Sequence, residues 1–196
     1  MSKIKIMTKG FADFTNPKEW KDCSTAVLVE SKKQKIIFDP GADRESLILA
    51  LKKNKINAKD INFVFISHKH LDHIINISLF PNANICTGRS IYNGIRQRKI
   101  NKSVFGKDIR IINTPGHSND HDCLLVKTRK GKILLAGDLF WWDKNEPQLI
   151  DKKSLINKKD KFATNLKQLI ESRKKVLPIS DWIIPGHGKM FKSPKA

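Results

Sequence analysis

A dense cluster of polar residues directly follows an apolar run in the first half of the chain. Ile61–Ile66 is continuously apolar, as is typical of a strand that is covered on both faces. Ser67–His73 follows at once and contains three histidines and one aspartate within six residues. Polar side chains at a strand-to-helix turn lie at the end of a rigid sheet. The junction therefore predicts an α/β fold with its chemistry at a sheet edge.

The residue types in this cluster predict metal binding. His68 and His70 are two apart in an extended segment and can point to the same side, while Asp72 and His73 come from the turn and helix start. Imidazole and carboxylate are expected ligands of zinc or iron, and less so of magnesium or calcium. A lone histidine is more often structural, but a structural role does not easily explain four such residues together.

Three further residues that can bind a metal lie just past segments with the composition of strands. His117 follows Thr-Pro-Gly, Asp138 follows a glycine, and His187 lies between two glycines. Glycine and proline turn the backbone sharply at such junctions. The repeated placement predicts that these side chains converge on one edge of the sheets.

The order of elements predicts two sheets between outer helices. We expect helices at Arg44–Lys53, near His73–Phe80 and at Asp160–Val176. We expect strands at Ile4–Met7, Thr25–Glu30, Lys35–Asp39, Ile61–Ile66, Ala83–Cys86, Asp108–Asn113, Cys123–Thr128, Lys132–Ala136 and Trp182–Ile184. With no repeat or linker in view, residues 1–196 are expected to form a single domain.

The charge balance is strongly basic, with 38 Lys+Arg against 19 Asp+Glu, a net charge of +19. This excess suggests a polyanionic partner such as RNA. It is mostly lysine spread along the chain beside many Ile and Asn, so an AT-rich genome explains it equally well. Both interpretations stay open.

The same sequence predicts a cytoplasmic protein. No apolar run approaches the roughly 20 residues of a membrane span, and the basic N-terminus lacks the apolar segment of a secretory signal. Cys23, Cys86 and Cys123 form no recognisable disulfide framework, so reduced thiols are expected.

Taken in order, these motifs resemble the metallo-β-lactamase superfamily. The elements are Asp39-Pro40-Gly41, the histidine cluster, and the segments that end in His117, Asp138 and His187. The resemblance covers nearly the whole chain and implies an αββα sandwich, with two mixed β-sheets flanked by helices. Gly137–Phe140 and Asp181–Gly188 further resemble the hydrolases grouped with metallo-β-lactamase domain-containing protein 1.

The resemblance implies a site for two divalent metals, with zinc expected and iron or manganese as alternatives. Asp138 would bridge the metals, and Asp39 would orient the histidine loop. The other implied ligands are His68, His70 and His117 for the first metal, and Asp72, His73 and His187 for the second.

Two metals about 3.5–4 Å apart can share a water and lower its pKa toward 7, which gives a hydroxide nucleophile that bridges them. Asp72 would accept a hydrogen bond from this nucleophile. His121 is either an oxyanion donor or general acid, or a histidine that only packs in its loop. Trp141 and Trp142 would line the mouth, although at least one is expected in the core.

Three substrate hypotheses follow, and the one that we expect is a ribonuclease or phosphodiesterase with β-lactam hydrolysis as a side activity. A ribonuclease or phosphodiesterase is favoured by the net charge and by Arg96, Arg98, Lys99 and Lys102, which are predicted near the site in a basic loop, Arg89–Lys107. A hydrolase of a β-lactam, lactone or thioester is favoured by a small open cleft. A non-catalytic metal- or RNA-binding module is the third. The short intervals after Asp138 and His187 leave no room for an inserted cap or an accessory substrate domain.

Overall fold

The computed structural model describes residues 1–32, 34–101 and 103–194, so Lys102 lies outside the described residues. Fourteen strands and four α-helices are defined in this part of the chain. The strands are β1 (Lys3–Thr8), β2 (Phe11–Asn16), β3 (Glu19–Cys23), β4 (Ala26–Ser31), β5 (Gln34–Phe38), β6 (Phe63–Phe65), β7 (Asn84–Cys86), β8 (Ser90–Asn93), β9 (Arg96–Lys99), β10 (Ile109–Asn113), β11 (Asp122–Thr128), β12 (Gly131–Trp141), β13 (Trp182–His187) and β14 (Phe191–Lys192). The helices are α1 (Arg44–Lys53), α2 (Leu71–Ile74), α3 (Lys152–Asn157) and α4 (Leu166–Val176).

Two mixed sheets form the centre of the fold. The first has the order β1-β4-β5-β6-β7-β8-β9, and the second has the order β10-β11-β12-β13-β14. Strands β5, β6 and β7 run parallel in the first sheet, as do β12 and β13 in the second, and the other neighbours are antiparallel. β2 and β3 form a separate hairpin.

Alternation along the central strands divides the core into layers. On β12, Ile133 and Leu135 face the cluster between the sheets, whereas Leu134 and Ala136 pack beneath α3 and α4. A third cluster lies between the first sheet and α1, where Leu47 is fully buried. Because both sheet faces are covered, the strands are apolar on both sides. The layers form the expected αββα sandwich, which is confirmed.

The two halves of the chain meet beside the site. The Thr25 backbone N–H donates to the Gly186 carbonyl at 2.8 Å, and the Thr25 hydroxyl donates to the same oxygen at 2.9 Å. Gly10 lies so close that a Cβ there would overlap this carbonyl. These contacts fix β13 against the segment before β4.

Several predicted boundaries differ from the structure. The last long helix begins at Leu166 rather than Asp160, because the Asn165 side chain accepts from the Gln168 N–H and caps it. Phe162 therefore lies outside the helix, and Leu166 is 57% exposed rather than part of an apolar stripe. The predicted helix near His73–Phe80 is a short α2 followed by a 3₁₀ turn.

Two hairpins and one helix were not predicted. The basic segment expected as a loop contains the β8–β9 hairpin, and Phe11–Cys23 forms the β2–β3 hairpin. Lys152–Asn157 forms α3. Among the described residues no helix is long and apolar enough to cross a membrane. All three cysteines are buried and free.

Candidate metal centre

The histidine loop is held by a buried carboxylate at the end of β5. Asp39 accepts the Ser67 N–H and hydroxyl, both at 2.7 Å, and the His73 Nδ1–H at 2.8 Å. Asp39 has a φ of 46°, a left-handed conformation that is rare outside glycine. The position of Asp39 agrees with the orienting role that the resemblance implies. Its three short contacts hold the histidine loop, Ser67–His73, at the end of β6.

The first ligand cluster contains His68, His70, His117 and Asp138, whose ligand atoms lie within 4.8 Å of one another. His117 Nε2 and His70 Nδ1 face each other at 3.1 Å. The second cluster contains Asp72, His73 and His187. In it, Asp72 Oδ2 lies 3.3 Å from His73 Nε2 and 3.2 Å from His187 Nε2.

Asp138 lies between the two clusters, with one oxygen toward each. Its Oδ1 is 3.2 Å from His73 Nε2 and 3.4 Å from His187 Nε2. Its Oδ2 is 3.5 Å from His117 Nε2 and 3.9 Å from His68 Nε2. Gly186 makes room for this carboxylate, since a Cβ there would overlap Asp138 Oδ1. The arrangement can bridge two cations.

The Nδ1 atoms of the buried histidines are engaged away from the centre. His117 Nδ1 donates to Asp160 at 2.8 Å, and His187 Nδ1 donates to the Phe11 carbonyl at 2.8 Å. His68 Nδ1 contacts the Ser67 hydroxyl at 2.9 Å. Such contacts fix the tautomer and leave the Nε2 lone pair for a ligand.

The electrostatics of the centre favour bound positive charge. Burial lowers the pKa of His68 well below its usual value and keeps the imidazole neutral, as a metal ligand must be. Burial also opposes the charge of Asp138, but His187 and His73 outweigh it and hold the pKa of that carboxyl well below its usual range. At His187, carboxylates outweigh burial and raise the pKa to about 10.

Several buried atoms at the centre have no hydrogen-bond partner among the described residues. They are His68 Nε2, His73 Nε2, Asp72 Oδ2 and Asp138 Oδ1. Unpaired buried polar atoms are costly, so their grouping in the two ligand clusters indicates that they bind a further group. Imidazole and carboxylate donors fit divalent metal ions.

A cavity of about 200 Å³ opens onto the centre. Its outer wall is an aromatic group that we call the mouth, made of Phe14, Trp20, Trp141 and Phe162. These rings meet edge-on or tilted at 5.2–6.1 Å between centroids. Lys161 Nζ lies 3.9 Å from the Phe14 ring centroid. The cavity thus has ionisable side chains of the centre at its base and an apolar outer wall.

The predicted substrate contacts divide in the structure. Trp141 lines the cavity, whereas Trp142 packs in the core against Phe191. Arg96 and Arg98 lie on β9, the exposed edge strand of the first sheet, and do not line the cavity.

His121 is fully buried and does not line the cavity. Its Nδ1 is paired with the Thr114 hydroxyl at 2.8 Å, and burial lowers its pKa to about 3. A group that is neutral at pH 7 and closed to solvent is a poor general acid. Of the two roles that the sequence left open, the geometry favours packing within the loop.

Sequence reasoning missed Asp160 and most of the mouth. Asp160 was predicted inside a helix, where nothing signalled its contact with His117. Phe14 and Trp20 come from the unpredicted β2–β3 hairpin, and Phe162 was assigned to the apolar stripe of a helix.

Comparison with known proteins supports the fold and the site. Residues 22–99 match the family model of the metallo-beta-lactamase superfamily. Human metallo-beta-lactamase domain-containing protein 1 is 31% identical over 85% of this chain. The chain spans 63% of the length of that relative.

Solved structures share the fold. A Thermotoga maritima protein assigned to the metallo-beta-lactamases superposes with a TM-score of 0.75, at 23% identity, over 97% of this chain and 99% of that one. The dizinc quorum-quenching lactonase AidC gives a TM-score of 0.60, at 19% identity, over 90% of this chain and 81% of its own.

The sandwich and its clustered histidines and aspartates form a candidate metal centre on a metallo-β-lactamase fold. The resemblance to the metallo-β-lactamase superfamily that the motifs predict is confirmed by the match of residues 22–99 and by the shared fold.

Proposed function

We propose that the protein is a binuclear hydrolase that cleaves a small carbonyl substrate, such as a lactone, a thioester or a β-lactam. The observation that carries this proposal is the position of Asp138, whose two oxygens face two ligand clusters at the floor of a small aromatic cavity. Zinc is the expected metal, because histidine-rich sites suit it and AidC is described as dizinc.

The chain's own residues have distinct roles in this reaction. When bound, two divalent metals supply an activated water and polarise the scissile carbonyl. His68, His70 and His117 would hold one metal, and Asp72, His73 and His187 the other, with Asp138 shared. Asp72 borders the cavity and can accept the proton of the attacking water. The mouth excludes bulk water and orients the apolar part of the substrate.

The cavity supports a small carbonyl substrate over a nucleic acid. Among the described residues neither lysine nor arginine lines it, and Lys161 lies at the outer aromatic wall, over the Phe14 ring. A phosphodiester backbone requires cationic contacts, whereas an ester or lactone does not. Its volume of about 200 Å³ also suits a small reacting group.

The test is a substrate panel on the zinc-loaded protein. An acyl homoserine lactone, an acylglutathione thioester, nitrocefin and a single-stranded RNA are assayed under identical conditions. The His68→Ala, His70→Ala double variant, loaded in the same way, is the control for contaminating hydrolases. We expect turnover of at least one carbonyl substrate that the double variant loses. Cleavage of RNA alone would overturn the proposal.

A ribonuclease is the second candidate, and the net charge of +19 favours it. β9 presents Arg96, Arg98 and Lys99 on an exposed edge strand. If these residues bind phosphates, replacing both arginines with alanine lowers the slope of log affinity against log salt by about 1 for each phosphate that is no longer bound. An unchanged slope would assign the charge to composition alone. We also infer a cytoplasmic location, in keeping with three free buried thiols.

A further inference from the structure

A second and larger cavity lies at the other end of the sandwich. It has a volume of about 810 Å³, and its apolar lining includes Ile4, Ile6, Ile133, Ile184 and Met190. We call it the groove. Ile133 lies five residues before Asp138 on β12, about 16 Å at the rise of a strand, and Ile184 precedes His187 on β13. The groove is therefore separate from the metal centre.

The groove is an unclosed end of the core between the sheets. Ile133 and Ile184 belong to that core, and Ile4 and Ile6 pack against it only partly buried. Its apolar side chains are aliphatic, with no aromatic ring among the described lining residues. Methionine adapts to irregular apolar partners, and Met190 is 37% exposed at the groove. Such a surface fits a flexible alkyl chain better than a flat ring.

The polar groups of the groove favour an anion. Lys3, Arg129 and Lys130 contribute to its lining, and no carboxylate does so among the described residues. The nearby Asp108 is already paired with the Met1 amine at 3.3 Å. Ser2 is only 3% exposed, and its hydroxyl has no hydrogen-bond partner among the described residues. The hydroxyl is closed to solvent, so the cationic side chains are the groups that complement an anionic ligand.

We propose that the groove binds a free long-chain aliphatic carboxylate. The alkyl chain lies along Ile4, Ile6, Ile133, Ile184 and Met190, and the carboxylate pairs with the cationic side chains of Lys3, Arg129 and Lys130. Charge complementarity selects this ligand over a neutral or cationic amphiphile of equal length.

The test is a calorimetric titration of the full chain with dodecanoate below its micelle concentration. We expect saturable binding at one site, weakened about fourfold for each methylene removed. Dodecanol and dodecyltrimethylammonium should bind at least about tenfold more weakly, as expected for loss of a charge-assisted contact. The Arg129→Glu, Lys130→Glu variant should lose at least about tenfold in affinity for dodecanoate.

Two controls locate the site. Lys152→Glu, Lys153→Glu makes the same change in charge at the first turn of α3 and should leave binding unchanged. The His68→Ala, His70→Ala variant should also bind dodecanoate normally, because the ligand does not use the metal centre. Dodecanoate that binds only to metal-loaded wild-type protein would overturn the proposal.

Other outcomes would overturn it too. Equal binding of dodecanoate and dodecyltrimethylammonium would show simple apolar adsorption. A dimer by light scattering that the Met190→Glu variant abolishes, without dodecanoate binding, would assign the groove to a second copy of the chain.

Discussion

The floor and the mouth of the candidate site are built by different principles. We use floor for the seven predicted ligands, His68, His70, Asp72, His73, His117, Asp138 and His187. Most floor residues follow the end of a strand, and buried histidines among them are fixed by a hydrogen bond on the far side of the ring. The mouth comes from β2, β3, β12 and the segment before α4, and its rings meet through edge contacts.

This difference indicates that the floor determines metal binding and catalysis, and that the mouth determines which substrates bind. The floor tolerates little change, because each ligand is part of a network of buried charges. The mouth is partly exposed, and its contacts are apolar and without fixed direction. Substitutions should therefore affect metal binding in the floor and substrate affinity in the mouth.

The largest effect is expected at Asp138. Replacing it with alanine removes the carboxylate that faces both clusters and takes one counter-charge from each of His73 and His187. We expect a loss of more than about 100-fold in metal affinity, since even outer contacts of metal ligands contribute 10–100-fold. Metal content after dialysis and turnover measure it, with the exposed Glu171→Ala as control. Full activity in Asp138→Ala would remove the bridging role.

Gly186→Ala should affect the floor without removing any ligand. A Cβ at this position overlaps Asp138 Oδ1, so the carboxylate must move. Overpacking costs about 1–3 kcal/mol of the free energy of unfolding. Urea denaturation and bound zinc are the measurements. Gly94→Ala, where nothing lies within 4 Å of the Cβ but φ is 55°, should lower stability through backbone strain alone and leave the zinc content unchanged. Normal zinc content in Gly186→Ala would show that the bridging carboxylate has freedom to move.

Asp160→Ala tests the outer contacts of the floor. Asp160 is buried and accepts the His117 Nδ1–H, so its loss frees the imidazole to rotate. We expect a 10–100-fold drop in zinc affinity. Competition with a chromophoric chelator measures this affinity. Asp160→Asn keeps an acceptor oxygen and should lose less, so equal losses in the two variants would indicate a general packing defect.

The smallest effect is expected from Trp20→Ala in the mouth. Trp20 is 53% exposed, so the fold and the zinc content should remain as in the wild type. Loss of one aromatic contact should raise KM up to about tenfold for substrates with an apolar group, with kcat little changed. Leu149→Ala, also exposed but away from the cavity, is the control. A fall in zinc content instead would mean that the floor and the mouth are coupled.

The layers of the fold could be predicted from the sequence because the central strands are recognisable as apolar runs that are followed by polar motifs. Strand β6 and residues 133–136 of β12 are apolar and are followed by polar residues of the floor, so periodicity and motif agree. Helix α1 was also predicted with its observed bounds, Arg44–Lys53. The predicted ligands are brought together as two clusters, although their roles as ligands stay predictions.

The mouth was not predictable in the same way. Phe14 and Trp20 lie in a hairpin with mixed burial, where neither strand shows a clean alternation. Phe162 has the spacing of a helix stripe, and only the Asn165 cap moves it outside the helix. Trp141 and Trp142 are adjacent in sequence, but Trp141 ends β12 and lines the cavity, whereas Trp142 lies just past the strand and packs against Phe191. These outcomes depend on tertiary packing, which a single sequence does not encode locally.

The contact between Thr25 and the Gly186 carbonyl also bears on the order in which the chain is made. During synthesis the segment with His68 and His70 emerges long before the strand that carries His187. Until that last strand docks against Thr25, the second cluster lacks one of its three ligands. A nascent chain that has not yet exposed His187 therefore presents six of the seven floor residues, and the second cluster would be complete only after His187 has emerged.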